Sequence, residues 1–219
     1  MTQNNTVYAY VIAAHEAGHC LALAATGLAD EFQRSTIVPQ GELEGLTIRS
    51  GASLDNFSME LTQHSRRLVA QEESGNEFKD FLIEKAPKTC LPHICFFLGG
   101  GSFDRFLGRE SPARNRIDME MLQTNVIPSM VIQVTNKELA ELQGKVDEFL
   151  WAVFKANEAL FKIIYDALVE RQTITANDDL LGEMRAGANS VSDAYRKLLV
   201  WFTEWYEPRL NAVADEWTA

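Results

Sequence analysis

Cysteine is scarce in this 219-residue chain: Cys20, Cys90 and Cys95 make an odd number with no Cys-x-x-Cys pair. That argues against a disulfide framework and points to a reducing compartment, the cytoplasm. Positive charge is short as well. Lys and Arg number 20 against 31 Asp and Glu, a formal net charge of -11 that disfavours nucleic acid and anionic membrane as partners. With only 6 Pro and 13 Gly, and no repeat at solenoid period, the composition excludes fibrous and low-complexity classes. A charge-free apolar run is also missing. The longest weakly polar stretch, Val7 to Ala29, carries His15, Glu16 and His19 near its middle, so it reads as a buried helix and not as a membrane span. The opening Met-Thr-Gln-Asn-Asn-Thr lacks the basic region of a secretory signal.

What is present is mostly helical in pattern. Asn4, Asn5 and Thr6 are capping types, no proline follows for 20 residues, and Gly27 stands where a helix would stop, predicting a helix over Val7 to Thr26. Ser35 to Pro39 and Leu46 to Ser50 are short β-branched runs either side of a Pro-Gln-Gly-Glu turn, which predicts an antiparallel ribbon. Weak helical patterns run through 51–92. The Gly99-Gly100-Gly101 run, each glycine costing about 1 kcal/mol in a regular helix, predicts a helix end or a close backbone approach. Ser111-Pro112 opens a helix to about Val126, and the Thr135-x-x-Glu138 capping box opens a long amphipathic one to about Glu170. Its apolar positions keep no strict heptad, so core packing is expected over a coiled-coil arm. Ala186 onward adds a last amphipathic segment. The expected fold is mainly α with a small antiparallel β ribbon, one domain over 1–219.

Histidine is scarce too, with four residues. Two of the four, His15 and His19, fall in His15-Glu16-Ala17-Gly18-His19, an HExxH sequence inside the first predicted helix. Residues four apart lie about 40° apart around a helix, so both imidazoles leave one face and can bind one zinc ion. Glu16 is turned aside, placed to act as general base towards water. A catalytic zinc site takes three protein ligands and an open position. His64, His93, Glu120 and Asp118 are candidates for the third ligand, and periodicity does not choose among them. The Cys90-Leu-Pro-His93-Ile-Cys95 cluster lacks an evident fourth ligand and reads as buried packing.

The string Ala13-Ala-His-Glu-Ala-Gly-His-Cys-Leu-Ala-Leu resembles the zinc helix of the FtsH family of ATP-dependent zinc metalloproteases. Three further blocks follow in order: Ser35-Thr-Ile-Val-Pro-Gln-Gly-Glu-Leu-Glu-Gly-Leu-Thr, Ile94 to Gly108 with its Leu-Gly-Gly, and Arg116-Ile-Asp118-Met-Glu. The last falls where the family has an Asn-Asp pair whose Asp is a zinc ligand. The resemblance implies a helical zincin-like peptidase domain holding one Zn2+ on His15, His19 and Asp118, with Glu16 as the catalytic base. If the strand near Leu46 to Ser50 is the exposed edge of the ribbon, Leu46, Thr47 and Ile48 are expected to pair with extended substrate through backbone hydrogen bonds.

The departures are equally specific. No GxxxxGK[ST] phosphate loop occurs, Ile117 replaces the family's Asn and Gly101 its Arg, 51–90 is longer than its counterpart, and 187–219 has none. The implied activity is therefore ATP-independent hydrolysis of peptides or unfolded protein, with a homo-oligomer and a separate unfoldase as further partners, and no nucleic acid or membrane. The alternative is a catalytically silent zinc-binding homologue acting as an interaction or regulatory module. An intramembrane zinc protease would need further spans that this sequence lacks.

Overall fold

The computed structural model describes residues 3–40, 43–109, 111–178, 180, 182–184 and 192–217. Gly41 and Glu42 of the expected turn and the 186–191 start of the last segment lie outside them. The chain is mainly helical with one small antiparallel sheet: α1 (Gln3–Ala25), β1 (Phe32–Thr36), β2 (Leu46–Arg49), α2 (Ala52–Val69), α3 (Gly75–Phe106), α4 (Pro112–Met121), α5 (Asn136–Ala156), α6 (Glu158–Arg171), β3 (Thr173–Thr175) and α7 (Ser192–Ala214).

The helix that carries His15 starts at Gln3, so Asn4 to Thr6 lie inside the helix and not ahead of it. Its other end is as expected. Gly27, at φ +80°, lets the Leu28 N–H reach the Leu23 carbonyl at 2.9 Å and the Gly27 N–H that of Ala24, the double bond pattern of a glycine-terminated helix. The segment between is buried on all sides, from Ile12 to Ala25. It packs along α3 and α6.

α3 runs unbroken for 32 residues through Gly99, Gly100 and Gly101, so the expected helix end does not occur there and the close approach does. A Cβ on Gly18 of α1 would stand 2.7 Å from the Gly99 carbonyl oxygen, and one on Gly99 would stand 2.8 Å from the Gly18 carbonyl oxygen. The two helices therefore meet backbone to backbone, and the helix propensity lost at the glycines is recovered in that contact. Pro87 and Pro92 also sit inside α3, each removing one N–H from the ladder.

The predicted long helix to Glu170 is two. The Thr135–Glu138 capping box opens α5 as expected, but Asn157, at φ -124° and ψ 35°, ends it and starts α6. The Val153 carbonyl there accepts from both the backbone N–H and the side-chain N–H of Asn157, each at 3.0 Å. The predicted helix to Val126 likewise stops at Met121 and passes into a π-helical turn, Leu122–Val126.

The ribbon has a third strand. The order is β2-β1-β3, all antiparallel, with Ser35 opposite both Thr47 and Ile174. β1 begins at Phe32, earlier than its β-branched run suggested, where Phe32 pairs with Arg49, and it ends at Thr36. Among the described residues no strand pairs with the outer side of β2, which is the expected edge strand. Among the described residues no helix is long and apolar enough to cross a membrane.

Candidate metal centre

Two helices bring His15, His19 and Asp118 together. His15 and His19 leave α1 on the face turned to α3 and α4. Asp118 comes from α4, whose first helical residue is Pro112, held by its fixed φ. The Nε2 atoms of His15 and His19 are 3.2 Å apart, and Asp118 Oδ2 lies 3.2 Å from the first and 3.4 Å from the second. Among the described residues this is the one group of three or more such side chains whose ligand atoms converge, all within 4.8 Å.

The other ring nitrogens are already occupied. His15 Nδ1 donates to Asp104 Oδ2 at 2.9 Å and His19 Nδ1 to the Phe96 carbonyl at 2.7 Å. With the proton on Nδ1, each Nε2 presents a lone pair, and the two lone pairs and a carboxylate oxygen face one another in a buried space. Such a triangle requires a cation or protons at its centre. A tetrahedral zinc ion with bonds of about 2.0 Å would separate its ligand atoms by about 3.3 Å, so the observed triangle has the right edge lengths.

Electrostatics agree. Burial would lower the pKa of His15, but the Asp104 and Asp118 carboxylates outweigh it and push it up to about 10. For His19, burial is likewise overcome by Asp118, and its pKa is raised. Asp118 is held well below the usual carboxylate range by the two imidazoles, against the opposing effect of burial. The site demands positive charge.

Gly100 makes room for that charge. A Cβ there would stand 2.5 Å from His15 Nε2 and 2.6 Å from His19 Nε2. Glu16 is buried on the neighbouring face of α1, where Thr47 Oγ1 donates to its Oε2 at 2.6 Å, and burial raises its pKa. The cleft over these groups has a volume of about 280 Å³, with Ile12, Leu43, Phe97 and Ile117 among its walls. It adjoins a groove of about 530 Å³ along β2, sharing Leu46, Phe96 and Met121.

The other histidines are elsewhere. His64 bonds Glu73 at 2.6 Å and stacks on Phe81, while His93 is fully buried beside Ser53 Oγ at 2.9 Å. Burial and the nearby Arg49 push its pKa down to about 4. Glu120 is exposed and pairs with Arg116. The three cysteines are free, buried thiols; desolvation pushes Cys20 and Cys90 up to about 12 and Cys95 higher still.

Sequence reasoning missed Asp104, Thr47 as a partner of Glu16, and Arg114, which lies in the cleft 3.4 Å from Asp104 Oδ2. Asp104 had a signal: it is the one acidic residue in the run from Leu91 to Phe103 and beyond to Leu107, and a carboxylate there has to be paired. Fold and site together define a mainly α protein with a His-His-Asp group, its imidazoles buried and its carboxylate half-buried, able to hold a metal ion. No family model, curated protein or solved structure matches the chain.

Proposed function

We propose that the protein is a zinc metallopeptidase that cleaves peptides or unfolded polypeptide without ATP, as its resemblance to the FtsH family implies. The observation that supports this best is the triangle of His15, His19 and Asp118 with edges of 3.2 to 3.4 Å, beside a buried glutamate on the same helix. A bound zinc ion supplies a Lewis acid and acidifies water at neutral pH. His15 and His19 are locked for that role by Asp104 and the Phe96 carbonyl, which fix tautomer and ring orientation. Glu16 has one oxygen engaged by Thr47, so Oε1 is the atom that takes the proton of the attacking water and returns it to the leaving nitrogen. The water oxygen bonds to the carbonyl carbon, the C–N bond breaks, and acid and amine products leave. The edge of β2 beside the cleft gives extended substrate a row of backbone partners, which binds with little sequence preference.

The test is cleavage of an unfolded, reduced and alkylated polypeptide by the purified chain. Activity is expected to vanish with a chelator and to return with one equivalent of zinc. Cleavage indifferent to the chelator would overturn the metal mechanism, and a zinc-loaded protein that cleaves no substrate would be a binding module instead.

A methyl group at Gly100 is expected to act on the ion and not on the helix. Gly100→Ala gains about 1 kcal/mol of helix propensity but places its Cβ against both Nε2 atoms. Zinc affinity should fall by about 10-fold or more, with the circular dichroism of the helices unchanged. Titration with zinc against a chromophoric chelator measures this, and unaltered affinity would place the ion elsewhere.

A further inference from the structure

Glu16 follows His15 by one residue, a turn of about 100° around α1, so it leaves the imidazole face and points to the sheet. Cys20, four residues on, shares that direction, and its thiol lies against Ser35 and Thr47. In the ribbon Ser35 stands directly opposite Thr47, and opposed residues share one face of a sheet. Both are buried, Ser35 completely. Their hydroxyl oxygens are 2.8 Å apart, and Thr47 Oγ1 lies 2.6 Å from Glu16 Oε2.

A hydroxyl has one proton to give. The ionised carboxylate only accepts, so the Thr47 proton goes to Glu16, and Ser35 is the donor in the bond between the two hydroxyls. The chain runs one way, from Ser35 to Thr47 to Glu16. Gly45 confines the carboxylate from another side, since a Cβ there would stand 2.6 Å from Oε1. The oxygen that Thr47 does not hold thus lies beside Gly45, which lines the same cleft as His15 and His19.

We propose that Thr47 is a positioning residue for Glu16: its hydroxyl, aligned by Ser35, sets the rotamer of the carboxylate and leaves Oε1 as the single proton-accepting oxygen. The inference rests on the peptidase reading for its kinetic consequence and on geometry alone for the positioning itself. It reassigns the side chain of Thr47, expected from sequence among substrate contacts, to the interior face of the strand.

Thr47→Val keeps the branched shape and removes the hydroxyl; Thr47→Ser keeps the hydroxyl and removes the methyl. With zinc content equal in all forms, the Val variant is expected to lose about 10- to 100-fold in kcat at nearly constant KM, and the Ser variant to stay within a few-fold of wild type. Simple packing predicts the reverse order, Val tolerated and Ser impaired, and that order would overturn the proposal. Crystal structures of the metal-free variants form the second arm: Glu16 should be displaced with Val and in place with Ser. If Val strands the Ser35 hydroxyl and folds poorly, Ser35→Ala combined with Thr47→Val removes the stranded group and is expected to show the same displacement. A Glu16 carboxylate unmoved by loss of the Thr47 hydroxyl would refute the positioning role. Should the wild type cleave nothing, the peptidase reading fails, and the structures still decide whether Thr47 holds Glu16.

Discussion

Glu16→Gln is expected to abolish peptide hydrolysis while leaving zinc bound at one ion per chain. Gln is nearly isosteric with Glu, and its amide oxygen can accept the 2.6 Å bond that Thr47 gives to Oε2. The side chain stays where it is, with an amide in place of the basic oxygen. What disappears is the capacity to hold a proton, which for a general base corresponds to about 10²- to 10⁴-fold in kcat. Stability should move little or rise, because the carboxylate is buried and burial already works against its charge. Metal analysis, kcat and a thermal melt on one preparation test all three points. Undiminished cleavage would assign the proton transfer to another group.

Asp118→Ala should have the largest effect on the metal. The variant removes one of three converging ligand atoms and leaves two imidazoles 3.2 Å apart in a buried space. Loss of a partner outside the ligand shell commonly lowers metal affinity by about 10- to 100-fold, so loss of a ligand should cost at least the upper end of that range. Neither His64, engaged by Glu73, nor Glu120, exposed beside Arg116, is placed to substitute. Zinc titration before and after the substitution measures the loss. Unchanged affinity would mean that the third ligand is not Asp118 and that the resemblance in that block is misaligned.

The parts of this site that could be read from sequence are those that repeat a spacing. HExxH on a helix puts two imidazoles on one face whatever surrounds them, and β2 was visible as the β-branched run from Leu46 to Ser50. Asp118 could be named only through the resemblance, since nothing in periodicity separates it from His64, His93 or Glu120. The support around the ligands was illegible for a different reason. The acceptor for His19 is the backbone carbonyl of Phe96, which every residue has, and the contribution of Gly100 is the absence of an atom. The fold shows the same division. Three glycines in a row argue for a helix end by propensity, and the contact with Gly18 overrides it. The break at Asn157 is hidden because the apolar positions continue on both sides of it, and β3, three residues long, is too short to show an alternation.

The backbone contact between α1 and α3 also governs when the metal group can exist during folding. His15 is separated from Asp104 by 89 residues and from Asp118 by 103, so α1 brings two imidazoles together locally but no local segment brings the carboxylates to them. Loop closure over that span is an entropic barrier that helix formation alone does not overcome. On the proposed reading, zinc would be bound at full affinity only once α1 has docked on α3 and α4, and its binding free energy would fall wholly on the docked side of the equilibrium. The ion would act as a latch on the topology, resisting separation of the first helix from the rest of the molecule.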